Sequence, residues 1–219
     1  MRRAFTLIEL LVVIAIISIL AAILFPVFNR AKASAQATSC ASNARNLAMA
    51  IEMYSGDAEY TFPLAAYGTD TAFLIWHDLI EPYVKNKAVW LCPGCELNPK
   101  DANGQPTSHF GYNASYLTTI ATDFSNANDS MAYNHSAIAE PVETVLFSVS
   151  RSSVANSWCG DEGKFLLPPS QADIDCWGRP YNKPADRATI AFCDTHTKRL
   201  ALGQFYTGQN PQDRYFDRD

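Results

Sequence analysis

The chain has 219 residues, a formal net charge of −5 and a sequence pI near 5.3. Hydrophobic residues make up 48% of it and charged residues 18%, so it has enough apolar side chains for a core and is not of disordered composition. The acidic balance argues against a nucleic-acid-binding protein, because such proteins need a basic surface. The apolar residues are concentrated at the N-terminus.

The first predicted element is a membrane-spanning helix. Residues 10–25 read LLVVIAIISILAAILF, interrupted only by Ser18. A helix of about 25 residues is about 37 Å long, which exceeds the roughly 30 Å of a bilayer core. A buried core helix is one alternative, but soluble helices are rarely apolar on all sides. A removable signal peptide is another, but no small-residue cleavage site with a polar flank follows Leu24.

A carboxylate at the start of this run needs an explanation, because Glu9 is costly in a bilayer unless it is paired. The segment Ala4-Phe5-Thr6-Leu7-Ile8-Glu9 followed by an apolar run resembles the class III signal of type IV pilins and pseudopilins. The resemblance implies cleavage between Ala4 and Phe5 by a prepilin peptidase, methylation of the new N-terminus and retention of the apolar helix. It also implies that Glu9 pairs with the N-terminal amine of a neighbouring Phe5 during assembly.

An amphipathic segment continues directly from the apolar run. In residues 29–56 the small or apolar residues follow helical spacing, and Gly56 is a natural stop. Only Pro26 separates the two segments, which predicts one helix from about residue 5 to residue 55, kinked or locally melted near Pro26. We therefore divide the chain into a leader (1–4), a transmembrane and assembly helix (5–28), the amphipathic half of that helix (29–56) and a head (57–219).

The head is expected to be an α+β domain with long loops. Candidate strands are residues 89–92, 109–117, 144–150, 189–193 and 197–202. A short helix is predicted within 72–84, and loops over 93–108, 121–137 and 151–187. No alternating βαβ pattern, phosphate-binding loop or nucleophile elbow is present in the sequence, so we expect no enzyme. Together with the resemblance, this predicts a type IV pilin-like fold, in which the long helix packs on a small antiparallel sheet.

A second resemblance lies near the C-terminus. Residues 191–198 read AFCDTHTK and resemble the final hairpin of pilin-like proteins with an H-X9-DG signature. Two departures make the signature degenerate: Thr195 replaces the glycine, and Pro184 stands where the histidine is expected. An Asp-Gly pair would give a tight type I′ turn. Since threonine is disfavoured at positive φ, we expect this hairpin to use a turn other than type I′.

Six cysteines suggest disulfide bonds in a head outside the cytoplasm. Their 15 possible pairings cannot be resolved by counting. We expect Cys40–Cys92 to tie the helix to the sheet, Cys159–Cys176 to close a C-terminal loop, and Cys95–Cys193 to pair by elimination.

Zinc and calcium are the alternatives to a head without a cofactor. Cys92, Cys95, Cys193 and His196 have within-pair spacings that suit a tetrahedral zinc site. A redox role for Cys92-Pro-Gly-Cys95 is disfavoured, because no helix is predicted after it. The acidic groups that could supply calcium ligands are Asp57/Glu59, Asp161/Glu162 and Asp173/Asp175.

The expected function is that of a structural subunit of a type IV pilus-like extracellular filament. Its partners would be copies of itself, other pilins, the prepilin peptidase and methyltransferase, an inner-membrane assembly platform and, before assembly, membrane lipid. The precursor would cross the inner membrane once with a cytoplasmic N-terminus. One alternative is a type II secretion pseudopilin in a periplasmic pseudopilus. Another is a minor tip pilin that binds a ligand, for which the four tryptophans (Trp76, Trp90, Trp158 and Trp177) could form a contact patch.

Overall fold

The computed structural model describes residues 6–68, 73–97, 107–119, 131–156, 160–173 and 177–218. Its α-helices are α1 Leu7–Asp57, α2 Trp76–Ile80, α3 Ala114–Leu117 and α4 Leu202–Phe205. Its strands are β1 Ala66–Gly68, β2 Phe73–Ile75, β3 Phe110–Tyr112, β4 Thr118–Thr119, β5 Met131–Ala132, β6 Val145–Asn156, β7 Gly160–Glu162, β8 Phe165–Leu166, β9 Trp177–Pro180, β10 Ala188–Phe192 and β11 Thr197–Leu200. Short 3₁₀ helices span Glu81–Tyr83, Lys87–Trp90 and His135–Ala137.

Helix α1 is a single helix of 51 residues, as the sequence predicts. It remains helical across Pro26, so the local melting that we considered there is not seen. Its buried residues all lie in the second half, on the stripe that the helical spacing predicts, and they are Ala37, Cys40, Ala44, Leu47, Ala48, Ala50, Ile51 and Ser55.

The head is built around a seven-stranded sheet with the path β11-β10-β6-β3-β8-β9, in which β7 also pairs with β6. The long strand β6 is the centre of this sheet, because it pairs with β3, β7, β9 and β10, always antiparallel. The pairs β3–β8 and β8–β9 are parallel. The sheet is therefore mixed, and the purely antiparallel sheet that we expected is wrong in this respect.

Two clusters of apolar side chains cover opposite faces of the sheet. Successive strand residues point to opposite faces, and accordingly Ala191 joins the cluster under α1, whereas Ile190 and Phe192 join the other. The first cluster includes Leu47 and Ile51 of α1. The second is closed by the C-terminal segment through residues such as Phe205, Tyr206 and Phe216. The helix and the C-terminal segment thus form two layers around one sheet.

The strands predicted at residues 144–150, 189–193 and 197–202 are confirmed as β6, β10 and β11. Residues 89–92 are wrong as a strand, because residues 87–90 form a 3₁₀ helix that the Asn86 side chain caps by accepting a hydrogen bond from Ala88 N–H at 3.0 Å. Only the start of 109–117 is a strand, and its end is helix α3. The predicted loop 151–187 is also wrong in part, since it contains the end of β6 and all of β7, β8 and β9.

Candidate assembly segment

The N-terminal end of α1 is closed by a reciprocal contact between Thr6 and Glu9. The hydroxyl of Thr6 accepts a hydrogen bond from the Glu9 backbone N–H at 3.2 Å. The Glu9 carboxylate accepts one from Thr6 N–H at 2.9 Å and another from the Thr6 hydroxyl at 2.8 Å. Both of these bonds end on Oε2, and no described residue donates to Oε1. Glu9 is thus held in the first helical turn through one of its two carboxylate oxygens.

The surface that follows Glu9 is apolar and uncovered. From Leu7 to Phe28 the large apolar side chains have between 46% and 78% of their surface accessible. Helix α1 is long and apolar enough, by length and composition, to cross a membrane. Because exposed apolar surface of this extent is unfavourable in water, this half of the helix needs lipid or other apolar helices around it.

The second half of α1 is fastened to the head by what we term the helix clamp, formed by Gln36, Cys40 and Asn43 of α1 with the loop 91–95. A disulfide joins Cys40 to Cys92, and the Asn43 side chain donates to the carbonyl of Leu91 at 2.9 Å. At Gly94, where φ is +81°, an added Cβ would lie 2.7 Å from the Gln36 side-chain oxygen. Gln36, Cys40 and Asn43 are spaced four and three residues apart on α1, and all three face the loop 91–95. The helix clamp therefore fixes where the exposed half of α1 leaves the head.

The cysteines agree with only part of the expected pairing. The predicted Cys40–Cys92 bond is present, but the predicted Cys95–Cys193 bond is not, since both thiols are free. The Cys95 thiol instead donates to the carbonyl of Lys183 at 3.3 Å, and Cys193 is buried beneath the helix at the end of β10. Burial raises the pKa of the Cys95 thiol to about 12, so it stays protonated at neutral pH. Cys159 and Cys176 lie outside the described residues.

The zinc site that we kept as an alternative does not form. Cys92 is bonded to Cys40, so it has no thiolate to offer. The Nδ1 atom of His196 contacts Asp194 instead of the cysteines. The same Cys40–Cys92 bond excludes the Cys92–Cys95 redox pair in this state. Within the described parts of the chain, no group of three or more His, Cys, Asp or Glu side chains could hold a metal ion.

The carboxylates considered for calcium contact protein groups where they are described. Asp57 accepts a hydrogen bond from the Tyr83 hydroxyl at 2.8 Å, and Asp173 accepts one from Arg179 Nε at 2.7 Å. The Asp161 and Glu162 side chains and the whole of Asp175 lie outside the described residues. The structure thus places Asp57 and Asp173 at two separate contacts within the head.

One serine, one histidine and one carboxylate come together at the C-terminal end of α1. His135 Nε2 lies 3.0 Å from Ser55 Oγ, and His135 Nδ1 lies 3.6 Å from a Glu52 carboxylate oxygen. The Phe62 ring stacks on the imidazole with the ring centres 4.0 Å apart. The order of groups is that of a hydrolase triad, but Ser55 has no accessible surface with which to meet a substrate. The contact therefore joins the helix end to the segment around residue 135.

Three described histidines are held in the neutral form by burial, which lowers the pKa of His77, His109 and His135. For His77 the pKa falls to about 3, because its ring packs against Trp76 and Trp90 and faces the charge of Lys164. The Nδ1 atom of His109 accepts a hydrogen bond from Cys92 N–H at 2.8 Å. The neutral His109 ring thus supports the helix clamp at Cys92.

The hairpin between β10 and β11 uses the conformation that we expected threonine to avoid. Thr195 has a φ of +69°, and its N–H donates to the carbonyl of Phe192 at 2.9 Å. The N–H of Phe192 in turn donates to the carbonyl of His196 at 3.0 Å, which closes a three-residue loop. The Asp194 carboxylate accepts from His196 N–H at 3.2 Å and supports the turn. The turn is therefore not the two-residue type I′ turn of an Asp-Gly pair, as predicted, but the reason given for that prediction is wrong, because Thr195 does adopt a positive φ.

The tryptophans do not form an exposed patch where they are described. Trp76 is fully buried, and Trp90 and Trp177 retain only 8% and 7% of their surface. Trp158 lies outside the described residues. These three rings are part of the core, which removes the feature that favoured a binding role.

Two residues important for this segment were missed in the sequence. Thr6 was not assigned a role, although Thr-x-x-Glu before an apolar run is the known pattern of a capping box. The sequence predicted no contact for Asn43, because no local signal identifies its partner Leu91, which lies 48 residues away.

Comparison with known families supports the predicted N-terminal motif and matches no other part of the chain. Residues 1–25 match a family model described as the prokaryotic N-terminal methylation motif. No curated protein and no solved structure matches the chain. The C-terminal resemblance at 191–198 is thus without support from these comparisons. The prediction of a type IV prepilin-like N-terminus is confirmed by this match. The motif supports a precursor of the pilin or pseudopilin kind and implies processing by a prepilin peptidase.

Proposed function

We propose that this protein is a structural subunit of a type IV pilus-like extracellular filament. The observation that carries the proposal is the continuity of the methylation motif at residues 1–25 with an uncovered apolar helix surface that reaches Phe28. A motif that directs processing and a surface that needs apolar neighbours are the two requirements for assembly through the N-terminal helix.

Processing removes residues 1–4 by cleavage between Ala4 and Phe5 and leaves Phe5 with a free amine, which is then methylated. The precursor crosses the inner membrane once, with its N-terminus in the cytoplasm, and an assembly platform there moves it into the filament. The head has no role in catalysis and needs no cofactor in this proposal.

Glu9 guides assembly by pairing with the Phe5 amine of a neighbouring copy. Each charge alone is costly in an apolar environment, and pairing offsets part of that cost. The capping contact with Thr6 supports this role, because it uses Oε2 and leaves Oε1 free for the amine.

The substitution Glu9→Gln tests this role without disturbing the helix start. Glutamine at this position keeps a capping oxygen but removes the charge. We expect Glu9→Gln to be processed normally and to lose filament assembly, measured as protein in the sheared surface fraction. The matched control Thr6→Val removes the side-chain cap and keeps the charge, and it should still assemble. Normal assembly of Glu9→Gln would contradict the role of the charge.

The location of the mature protein distinguishes the filament from a type II secretion pseudopilus. A surface filament places the processed protein in sheared material outside the cell, whereas a pseudopilus keeps it in membranes and periplasm. Fractionation of cells that make the protein measures this directly.

A further inference from the structure

The distal end of the head carries an exposed surface that is both apolar and acidic. We term it the distal patch and define it by Glu52, Met53, Asp57, Glu59 and Tyr60. Met53 and Tyr60 expose 58% and 63% of their surfaces, and the three acidic residues are exposed beside them. All five lie within nine positions, from the last turns of α1 to the turn that follows it, and all five are exposed.

The distal patch keeps its negative charge at neutral pH. His135 lies 3.6 Å from Glu52, but burial lowers the pKa of its ring below the ordinary value, so it does not neutralise that carboxylate. Asp57 accepts a hydrogen bond from the Tyr83 hydroxyl, which is neutral. The last turn of α1 contains no basic residue, and a helix C-terminus adds a partial negative charge of its own.

A segment with the opposite charge and the same apolar character lies near the middle of α1, where its exposed half meets the half that packs on the head. We term it the basic neck and define it as residues 27–32, in which Val27 and Phe28 are followed by Arg30 and Lys32. Val27 and Phe28 expose 61% and 60% of their surfaces. Arg30 and Lys32 are exposed and form no ion pair with any described residue.

The basic neck cannot satisfy its charges within its own helix or reach its own distal patch. The sequence has no acidic residue between Glu9 and Glu52, so no carboxylate lies three or four positions from Arg30 or Lys32. Arg30 and Asp57 are 27 positions apart on one continuous helix, which corresponds to about 40 Å.

We propose that the distal patch of one copy binds the basic neck of a second copy. Val27 and Phe28 pack against Met53 and Tyr60, while Arg30 and Lys32 face the patch carboxylates. The two copies are then related by an axial offset of about 40 Å, and the contact is heterologous, so it repeats along a filament rather than closing. This inference rests on the proposed filament and specifies one of its subunit contacts.

Cysteine cross-linking in cells that make the full-length protein tests the contact. The variant Lys32→Cys/Glu59→Cys, in a Cys95→Ser background, should form a ladder of disulfide-linked multimers on mild oxidation. A bond within one chain is excluded, because the two positions lie about 40 Å apart. The matched control is Lys32→Cys/Glu140→Cys, which places the second thiol at another exposed acidic position. It should give no ladder.

Charge reversal provides a second readout that does not depend on new thiols. Arg30→Glu/Lys32→Glu should lower the amount of sheared filament about tenfold, because like charges then face each other. Adding Glu59→Lys to the same chain should restore part of it. Arg30, Lys32 and Glu59 are all exposed, so the melting temperature should not change in any of these variants, which separates lost contact from lost folding.

Each remaining outcome overturns the proposal. Equal ladders from the test and control cysteine pairs would show that the distal patch does not bind the basic neck. An unchanged amount of sheared filament in Arg30→Glu/Lys32→Glu would show the same. Arg30→Glu/Lys32→Glu could instead lower the amount of precursor in membranes while the remaining protein assembles normally. That result would show that Arg30 and Lys32 bind anionic lipid headgroups and not the distal patch. If wild-type protein forms filaments but the test pair gives no ladder, only this contact is wrong. If wild-type copies do not associate at all, the proposed function is wrong as well.

Discussion

Acidification should destabilise the head through His77. The pKa of His77 is about 3 in the folded protein and has an ordinary value of 6.5, so the unfolded chain binds the proton more readily. A base with a lowered folded pKa contributes its full stability above pH 6.5 and loses it as the pH falls toward 3. Between pH 7.5 and pH 5 this single group should cost about 2 kcal/mol of unfolding free energy.

Urea unfolding of the detergent-solubilised protein at the two pH values measures this cost. Tryptophan fluorescence is a suitable signal, since the rings of Trp76 and Trp90 lie 4.0 and 4.8 Å from the His77 ring, centre to centre. His77→Phe keeps the aromatic contacts and removes the titration, so its pH dependence should be smaller by about 2 kcal/mol. Burial lowers the pKa of His109 and of His135 as well, so both should contribute to the pH dependence that remains in His77→Phe. An equal loss of stability in wild type and His77→Phe would refute the reasoning.

Three substitutions test how the head is held together, each by urea or thermal unfolding. Replacing both Cys40 and Cys92 by serine opens a loop of 52 residues and should cost about 4 kcal/mol; an unchanged unfolding free energy would mean that the clamp holds without the bond. Thr195→Gly should stabilise the protein by about 1 kcal/mol, because glycine accepts the positive φ, whereas a loss would contradict the observed turn. Leu47→Ala removes a fully buried side chain beneath α1 and should cost about 2–5 kcal/mol; a cost below about 1 kcal/mol would place it outside the core.

The helix and its assembly end could be predicted because their signals are local. An apolar run longer than a bilayer, a small-residue stripe at helical spacing and six residues around the Ala4–Phe5 bond are all readable within one segment. Strand β10 and the first half of β6 could be predicted for the same reason, because each is rich in apolar residues within a few positions. The cap formed by Thr6 and Glu9 was equally local and could have been predicted.

What could not be predicted depends on contacts between distant parts of the chain. Strands β8 and β9 are two and four residues long, and they exist through their pairing with each other and with β3 and β6. The prediction of a Cys95–Cys193 bond is wrong because it was made by elimination, which carries no information on the distance between the two cysteines. At Thr195 the propensity argument failed because the ladder between β10 and β11 and the Asp194 side chain fix the turn, whatever residue occupies it.

Mass spectrometry of the N-terminus, performed separately on sheared surface material and on membranes, tests the central claim most directly. The account predicts a chain that begins with a methylated Phe5 and is present in the sheared material, with unprocessed precursor confined to membranes. An intact Met1 in both fractions, or a chain cut after Ala22, would contradict it, because the apolar helix would then be a plain anchor or a removed signal and not an assembly surface.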